Sequence, residues 1–524
     1  MSGLVERHPI RLAELVAALS LGIDLGFGQP MEHVLRQCLI ALRLADLVGL
    51  DDQDRAAVYY AALLVNVGCH TDAHEQAKWM GDDIALKSKK FEPETSAFRQ
   101  MTDMMRMVGA GSPPLHRIRT GFAFAVSGRK EFDGMIAQHA RLARVLGEQL
   151  DLPPAALAAL GASYERWDGH GWPGTLAGES IPMTARIVQL AEFVEVAHRT
   201  EGVDAAKRVA ESRSGTQFDP RLVSMLCTDA DKILGDLDTG SWDAVIGAEP
   251  SLAIVLTEDE CDAALLAIAN FVDLKSPYTL GHSHAVADLA ATAGARLSLS
   301  TEDTRTLYRA ALVHDFGRLG VSNAIWDKKA PLSAGDWERV RMYPYYGERM
   351  LQQSETLAPA ARIAVQHRER LDGSGYPRGL QGSAIGRSAR IVGAADAYQA
   401  MREPRPHRPA LDPDAAASEL RAEVRAGRLD ADAVDAVLTA AGHRVVRRRE
   451  GPAGLTAREV EVLRLLAQGL SNRDIAARLV ITPKTAGNHI EHIYTKIGAT
   501  NRTAASLFAM QHGLLPEEGF TTLP

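Results

Sequence analysis

Apolar positions along this chain recur at the three-to-four-residue spacing of one helix face. Val286, Leu289, Ala290, Ala293 and Leu297 follow that register, and Leu307, Ala311 and His314 repeat it, which places His314 on an inward, apolar face. Alternation of the kind that marks strands is absent over any useful length, so the pattern predicts an all-α protein. Arg402–Pro413 interrupts it with Pro404, Pro406, Pro409 and Pro413 and reads as an extended arm. The most apolar run, Leu12–Leu25, is broken by Glu14 and Asp24 and falls short of the roughly 18 residues of a membrane span.

The first 440 residues carry an internal duplication. Ile23-Asp24-Leu25 recurs as Val272-Asp273-Leu274, His33 as His282, and Tyr60–Leu64 as Arg309–Val313, all at an offset of 249. Glu165–Pro173 recurs as Glu369–Pro377 and Ala185–Val188 as Ala389–Val392, at an offset of 204. The first copy therefore holds about 45 extra residues, expected within Cys69–Lys130. The repeat predicts one helical domain over 1–235, a Gly/Asp-rich linker at 236–257 and a second domain over 258–442.

Length and composition agree with several globular domains: 524 residues, 46% hydrophobic and 24% charged. Cys38, Cys69, Cys227 and Cys261 are far apart and form no CxxC pair, which argues against a disulfide framework or a zinc knuckle. With no export signal visible, a cytoplasmic location is expected. The net charge of -8 is uneven. His443–Leu515 holds eleven Lys/Arg against five Asp/Glu, a balance of +6 that leaves -14 for the rest. A basic end on an acidic body points to a polyanion at that end.

In the second copy His314 and Asp315 are adjacent, with His282 upstream and Asp396 downstream. Two imidazoles and two carboxylates are a ligand set for a divalent ion, whose bound water becomes a nucleophile. The stretch running through Tyr278–Ser283, Ala310–Gly317 and Glu369–Pro377 resembles the HD-GYP branch of the HD phosphohydrolase superfamily. That resemblance implies an all-helical fold, a metal centre and hydrolysis of cyclic dinucleotides. It implies that His282, His314, Asp315 and Asp396 hold metal, that His367 is the first of the family's paired histidines, and that Asp315 and Arg318 serve the chemistry.

The departures matter as much. The second paired histidine falls on Arg368, the histidine of a His-Pro step on Tyr343, and the lysine after the HD pair on Arg318. A guanidinium cannot ligate a metal, and a phenol is a poor ligand near neutral pH. One divalent ion is therefore expected, and hydrolysis weak or absent. In the first copy the HD pair becomes Val65-Asn66, the Asp396 position becomes Glu192, and the paired histidines become Ser163-Tyr164. His33 survives and His139 aligns with Tyr343, so this copy reads as a non-catalytic relic. Its Glu165–Pro173 block is either a structural corner or a retained ligand loop.

Residues 455–524 form the final domain, after a basic linker at 443–454. Thr456–Glu459 is a capping box, Ser471 caps a second helix, and Thr482-Pro483 opens a third that stops at Gly498. On the third helix Ala486, Ile490, Ile493 and Ile497 form the inward stripe. A short helix, a turn and a helix with a polar face make a helix-turn-helix for a major groove. Leu455–Leu463, Gly469–Ala476 and Thr482–Thr485 with His489 and Lys496 look like the LuxR-type DNA-binding domain. That resemblance implies double-stranded promoter DNA as partner. It places Lys484, Thr485, Asn488 and His489 at the groove and Lys496 near phosphate; His492 shares the outward face. Gly487 stands where a larger side chain is usual.

These readings combine into a homodimeric transcription regulator whose tandem HD-like domains sense a nucleotide or mediate dimerisation. The alternative is a metal-dependent phosphodiesterase with a DNA-binding tail.

Overall fold

A computed structural model describes residues 10–91, 107–109, 121, 124, 129–237, 241–250, 254–444 and 452–515. The Arg447–Arg449 cluster and much of the expected insertion lie outside the described residues. The chain divides into two compact units, Met1–His443 and Arg444–Pro524.

The first unit is helical. Among the described residues its strands are Ile10–Arg11 and Val255–Leu256, paired antiparallel. No described helix is long and apolar enough to cross a membrane. The duplication is visible helix by helix: His33–Val48 corresponds to His282–Arg296, and Asp52–Leu64 to Thr301–Val313. Arg129–Gln149 likewise corresponds to Ala334–Leu351, and Met183–Glu201 to Arg387–Arg402. The repeated aspartates explain part of the repeated sequence. Asp273 accepts the Ser283 amide and hydroxyl, both at 2.8 Å, at the start of helix His282–Arg296. Asp24 accepts the Val34 amide at 3.1 Å in the equivalent place. Both satisfy a first-turn amide of the helix that carries the first candidate histidine.

Gly68 and Gly317 are equivalent positions where a Cβ would lie 2.2 Å from the His139 carbonyl and 1.8 Å from that of Tyr343. Only glycine admits that close backbone approach, which seats the turn carrying the HD pair against the next long helix.

The two copies are not separate bundles on a linker. Ser241–Gly247, inside the stretch expected to be a linker, forms a helix that buries Trp242 and Val245, and Val255–Leu256 reaches back to pair with Ile10–Arg11. One continuous core runs from Leu12 to Leu438 through both copies. Gly and Asp in this stretch suggested a flexible joint, but its apolar side chains have an adjacent core to enter.

A buried polar clasp also crosses between the copies. Asp83 pairs with Lys87 at 3.0 Å and Lys275 at 3.4 Å, and accepts the Ser322 hydroxyl at 2.7 Å and the Asn323 amide at 2.8 Å. Burial draws Lys275 down to about 8 against the pull of Asp83.

The second unit contains helices Ala457–Ala467, Asn472–Leu479, Pro483–Ile497 and Arg502–Gln511 around Leu455, Val462, Ile475, Ala486, Ile490 and Ile493. Thr456 with Glu459 and Ser471 with Asp474 form capping boxes, Thr482 caps the third helix, and Gly498 closes it in a left-handed conformation. The punctuation read from the sequence is thus the punctuation of the fold.

Candidate functional site

His282 opens its helix, His314 and Asp315 directly follow helix Thr301–Val313, and Asp396 lies mid-helix in Arg387–Arg402; all four side chains are buried. Their hydrogen bonds set which atoms face inward. His314 Nδ1 lies 2.6 Å from the Ala311 carbonyl and His367 Nδ1 2.6 Å from that of Ala364. A carbonyl only accepts, so Nδ1 carries the proton and Nε2 presents its lone pair. His282 Nδ1 faces Glu403 at 2.9 Å with the same consequence.

Three buried atoms here then remain without a partner, His282 Nε2, His314 Nε2 and Asp315 Oδ1, while Asp396 turns Oδ1 toward both imidazoles and sets Oδ2 3.2 Å from Arg368 Nη2. His282 Nε2 lies 3.4 Å from Asp396 and His314 Nε2 lies 3.6 Å from Asp315. Two ligands of one ion, each at about 2.1 Å, stand about 3–3.5 Å apart. Orphaned buried donors and acceptors are rare in folded proteins, and three that converge beside the Asp396 carboxylate fit a cation. His282, His314 and Asp315 form one candidate ligand group, with His314, His367 and Asp396 a second that shares His314.

The second group is obstructed. Arg368 Nε donates to the Tyr343 hydroxyl at 2.7 Å, which leaves the phenol to donate to His367 Nε2, also at 2.7 Å. The Arg368 guanidinium continues to Asp396 at 3.3 Å. Burial holds the Tyr343 phenol well above its ordinary range, so it stays neutral and offers no phenolate. Burial, with the neighbouring His314 and Arg368, draws His367 down to about 3. His367 is thus a neutral imidazole whose lone pair is already taken.

Around the first group, burial opposes charge on His282, yet Asp396 and Glu403 raise it to about 9, so a cation that takes the Nε2 lone pair must displace a proton from it. Asp315 is held low against its burial by His314 and Arg318. Arg318 Nη1 reaches Asp315 at 3.0 Å while its guanidinium stacks 4.1 Å from the Trp326 ring centroid. Glu403, on the proline-rich arm, escaped the sequence reading. It sits in no helical register, and only folding brings it to His282.

The first copy supplies a different solution. Lys90 donates to Asn66 Oδ1 at 2.8 Å and to Glu192 Oε1 at 2.6 Å, the positions equivalent to Asp315 and Asp396. An ammonium occupies the place between them. Beside it His139 bridges Cys69 at 3.3 Å and Asp72 at 2.7 Å. The Glu165 carboxylate accepts the Gly174, Thr175 and Leu176 amides, and Glu369 accepts those of Arg378 and Leu380. In both copies the shared block turns its glutamate inward to build a corner.

In the second unit Lys484, Asn488 and His492 form an exposed stripe along the third helix, with Thr485 and His489 half-buried beside it. Thr485 is engaged with the Thr482 cap at 2.8 Å. Lys496 pairs with buried Glu459 at 2.8 Å, so its ammonium ties the third helix to the first. Arg473 and Arg478 stand exposed on the preceding helix, where the sequence reading had placed no contact.

The HD domain model matches residues 130–222 and 267–433, and that of bacterial regulatory proteins of the luxR family matches residues 453–509. The chain is 31% identical over 417 residues to the 3'3'-cGAMP-specific phosphodiesterase 3 of Vibrio cholerae, spanning 79% of this chain and 91% of that one. The chain belongs to the HD-domain family. The chain also shares 36% identity over 180 residues with the 3'3'-cGAMP-specific phosphodiesterase 1 of V. cholerae, 34% of this chain and 42% of the relative. The crystal structure of a cyclic GMP-AMP specific phosphodiesterase of V. cholerae aligns at a TM-score of 0.57 and 26% identity, covering 83% of this chain and 99% of that one. The HD domains are followed by a luxR-family DNA-binding domain.

Proposed function

We propose that this chain is a DNA-binding transcription regulator whose second HD domain holds one divalent ion and, against it, the phosphodiester of a cyclic dinucleotide. The observation that carries the reading is the convergence of three orphaned atoms, from His282, His314 and Asp315, beside the Asp396 carboxylate. A bound ion would polarise the phosphoryl oxygen and lower the pKa of a coordinated water. Asp315 and Asp396 balance its charge, and Glu403 and the Ala311 carbonyl hold the two imidazoles in the ligating tautomer. Arg318, steadied by Trp326, presents a planar fork to a phosphate oxygen. This arrangement favours binding over turnover, because the group around His367 lacks the lone pair a second ion requires.

Promoter DNA is read by the stripe Lys484, Asn488 and His492 with His489, from a homodimer on two half-sites. The experiment is a gel-shift titration of the full chain on its promoter, with and without Mn²⁺ and 3'3'-cGAMP. An affinity change that needs both, and is lost in His314→Ala, supports the reading; an affinity blind to both refutes it. A second reading, a working phosphodiesterase, rests on the similarity to the 3'3'-cGAMP-specific phosphodiesterases. Robust dinucleotide cleavage lost in Asp315→Ala would put it first.

A further inference from the structure

The first HD domain shows, within this same chain, how a side-chain cation takes an ion's place. Lys90 sits between Asn66 and Glu192, and these two residues stand where the second domain has Asp315 and Asp396. In the second domain the group His314, His367 and Asp396 meets a cation of its own. The Arg368 guanidinium reaches the Tyr343 hydroxyl through Nε and Asp396 through Nη2. We infer that Arg368 is the resident second cation of the metal centre and a direct contact for the ligand's phosphate. The inference rests on the one-ion reading above and names the residue that enforces it.

Three observations converge. The charge of Arg368 is permanent, since a guanidinium keeps its proton at any working pH. A second divalent ion between His314, His367 and Asp396 would lie against that charge, and its would-be nitrogen ligand, His367 Nε2, already accepts from Tyr343. The guanidinium is also only partly spent. Its Nη1 amine has no partner among the described contacts, and the side chain keeps 21% of its surface exposed while Asp396 beneath it has none. Two free N–H groups on a fixed, planar cation beside the ion's ligands suit an anionic phosphate oxygen. Arg318 reaches the other carboxylate, Asp315, so each carboxylate of the site carries one guanidinium. The ligand class is a phosphodiester anion that bridges the ion and a guanidinium fork.

The test measures manganese per full-length chain by plasma mass spectrometry after gel filtration in metal-free buffer, and 3'3'-cGAMP affinity by calorimetry. Wild type should hold one ion. Arg368→Met should keep that ion and bind the dinucleotide at least tenfold more weakly. Arg368→Lys, which keeps the charge and guards against simple misfolding, should hold one ion with a smaller loss of affinity. The double substitution Tyr343→His with Arg368→His should raise the count to two. Two ions in wild type, a double variant that stays at one, or Arg368→Met binding within twofold of wild type would each overturn the inference. A wild-type chain with no ion would instead remove the metal-centre reading beneath it, and the inference with it.

Discussion

The Lys90 ammonium meets the Glu192 carboxylate at 2.6 Å, in the position where the other HD domain turns Asp396 toward its candidate ion. Lys90 keeps 23% of its side chain exposed and Glu192 only 2%, so the carboxylate is the partner that depends on the pair. Lys90→Met should destabilise the first unit by about 3–5 kcal/mol, the usual consequence of stranding a buried charge. Adding Glu192→Gln should recover part of that loss. Chemical denaturation of the three chains checks both steps, and the metal count should stay unchanged throughout.

The Asp83 clasp ties the first HD domain to the segment that follows Arg318 in the second. Asp83→Ala removes the acceptor for Lys87, Lys275, Ser322 and Asn323 together. A loss of about 3–5 kcal/mol is expected, with two buried lysines left unpaired. Because Ser322 lies four residues beyond Arg318, Mn²⁺ affinity should fall as well. A variant that melts with wild type would show that the clasp carries no net stability.

Glu195 supplies the acid limb of stability. Burial would raise its carboxyl, but His33 and Arg36 hold it down to about 2. Its folded value lies below its unfolded one, so its contribution is complete above about pH 4.5 and is lost as pH falls toward 2. At about 1.36 kcal/mol per unit, the contribution is on the order of 3 kcal/mol. The stability difference between wild type and Glu195→Gln should therefore shrink from pH 5 to pH 3, measured by guanidinium unfolding.

Much of this architecture is legible in the sequence. Helical periodicity and the 249- and 204-residue offsets identify the paired helices, and capping residues mark the first three helices of the DNA-binding unit. The residues that escaped share a physical reason: their roles depend on contacts between distant segments. Glu403 follows a helix on an irregular arm, and Lys90 lies in a segment with no counterpart in the second copy, so neither period nor repeat singles them out. Lys496 looked free for phosphate because charge alone does not reveal that a buried glutamate lies across the fold. The stretch 236–257 read as a linker because composition reports flexibility, whereas Trp242 reports a core.

On the third helix of the luxR-family domain, Lys484, Asn488 and His492 are exposed, whereas Thr485 is engaged by the Thr482 cap and Lys496 by Glu459. Lys484→Ala with Asn488→Ala should abolish specific promoter binding, each base contact being worth about 1–3 kcal/mol. Lys496→Ala should act mainly on domain stability, seen as a lower melting temperature. Arg473→Ala or Arg478→Ala should weaken binding on all sequences alike and flatten its salt dependence. A gel shift of the double variant equal to wild type would relocate the interface.

Glu403 offers the sharpest test of how the metal centre is held. Its carboxylate accepts from His282 Nδ1 at 2.9 Å, and Arg405 pairs with it at 2.9 Å, so the proline-rich arm orients an inner ligand. Outer carboxylates of this kind fix the ring and raise its basicity, and their loss typically weakens metal binding about 10–100-fold. Glu403→Gln keeps the shape and can still accept through its amide oxygen, so its effect should fall at the low end of that range. Glu403→Ala frees the ring to turn and should fall at the high end. Both variants should keep one ion at saturation, since the four inner ligands are intact, and competition against a fluorescent chelator measures the affinities. Equal affinity in all three chains would mean that the backbone alone positions His282, and that the arm serves the fold and not the ion.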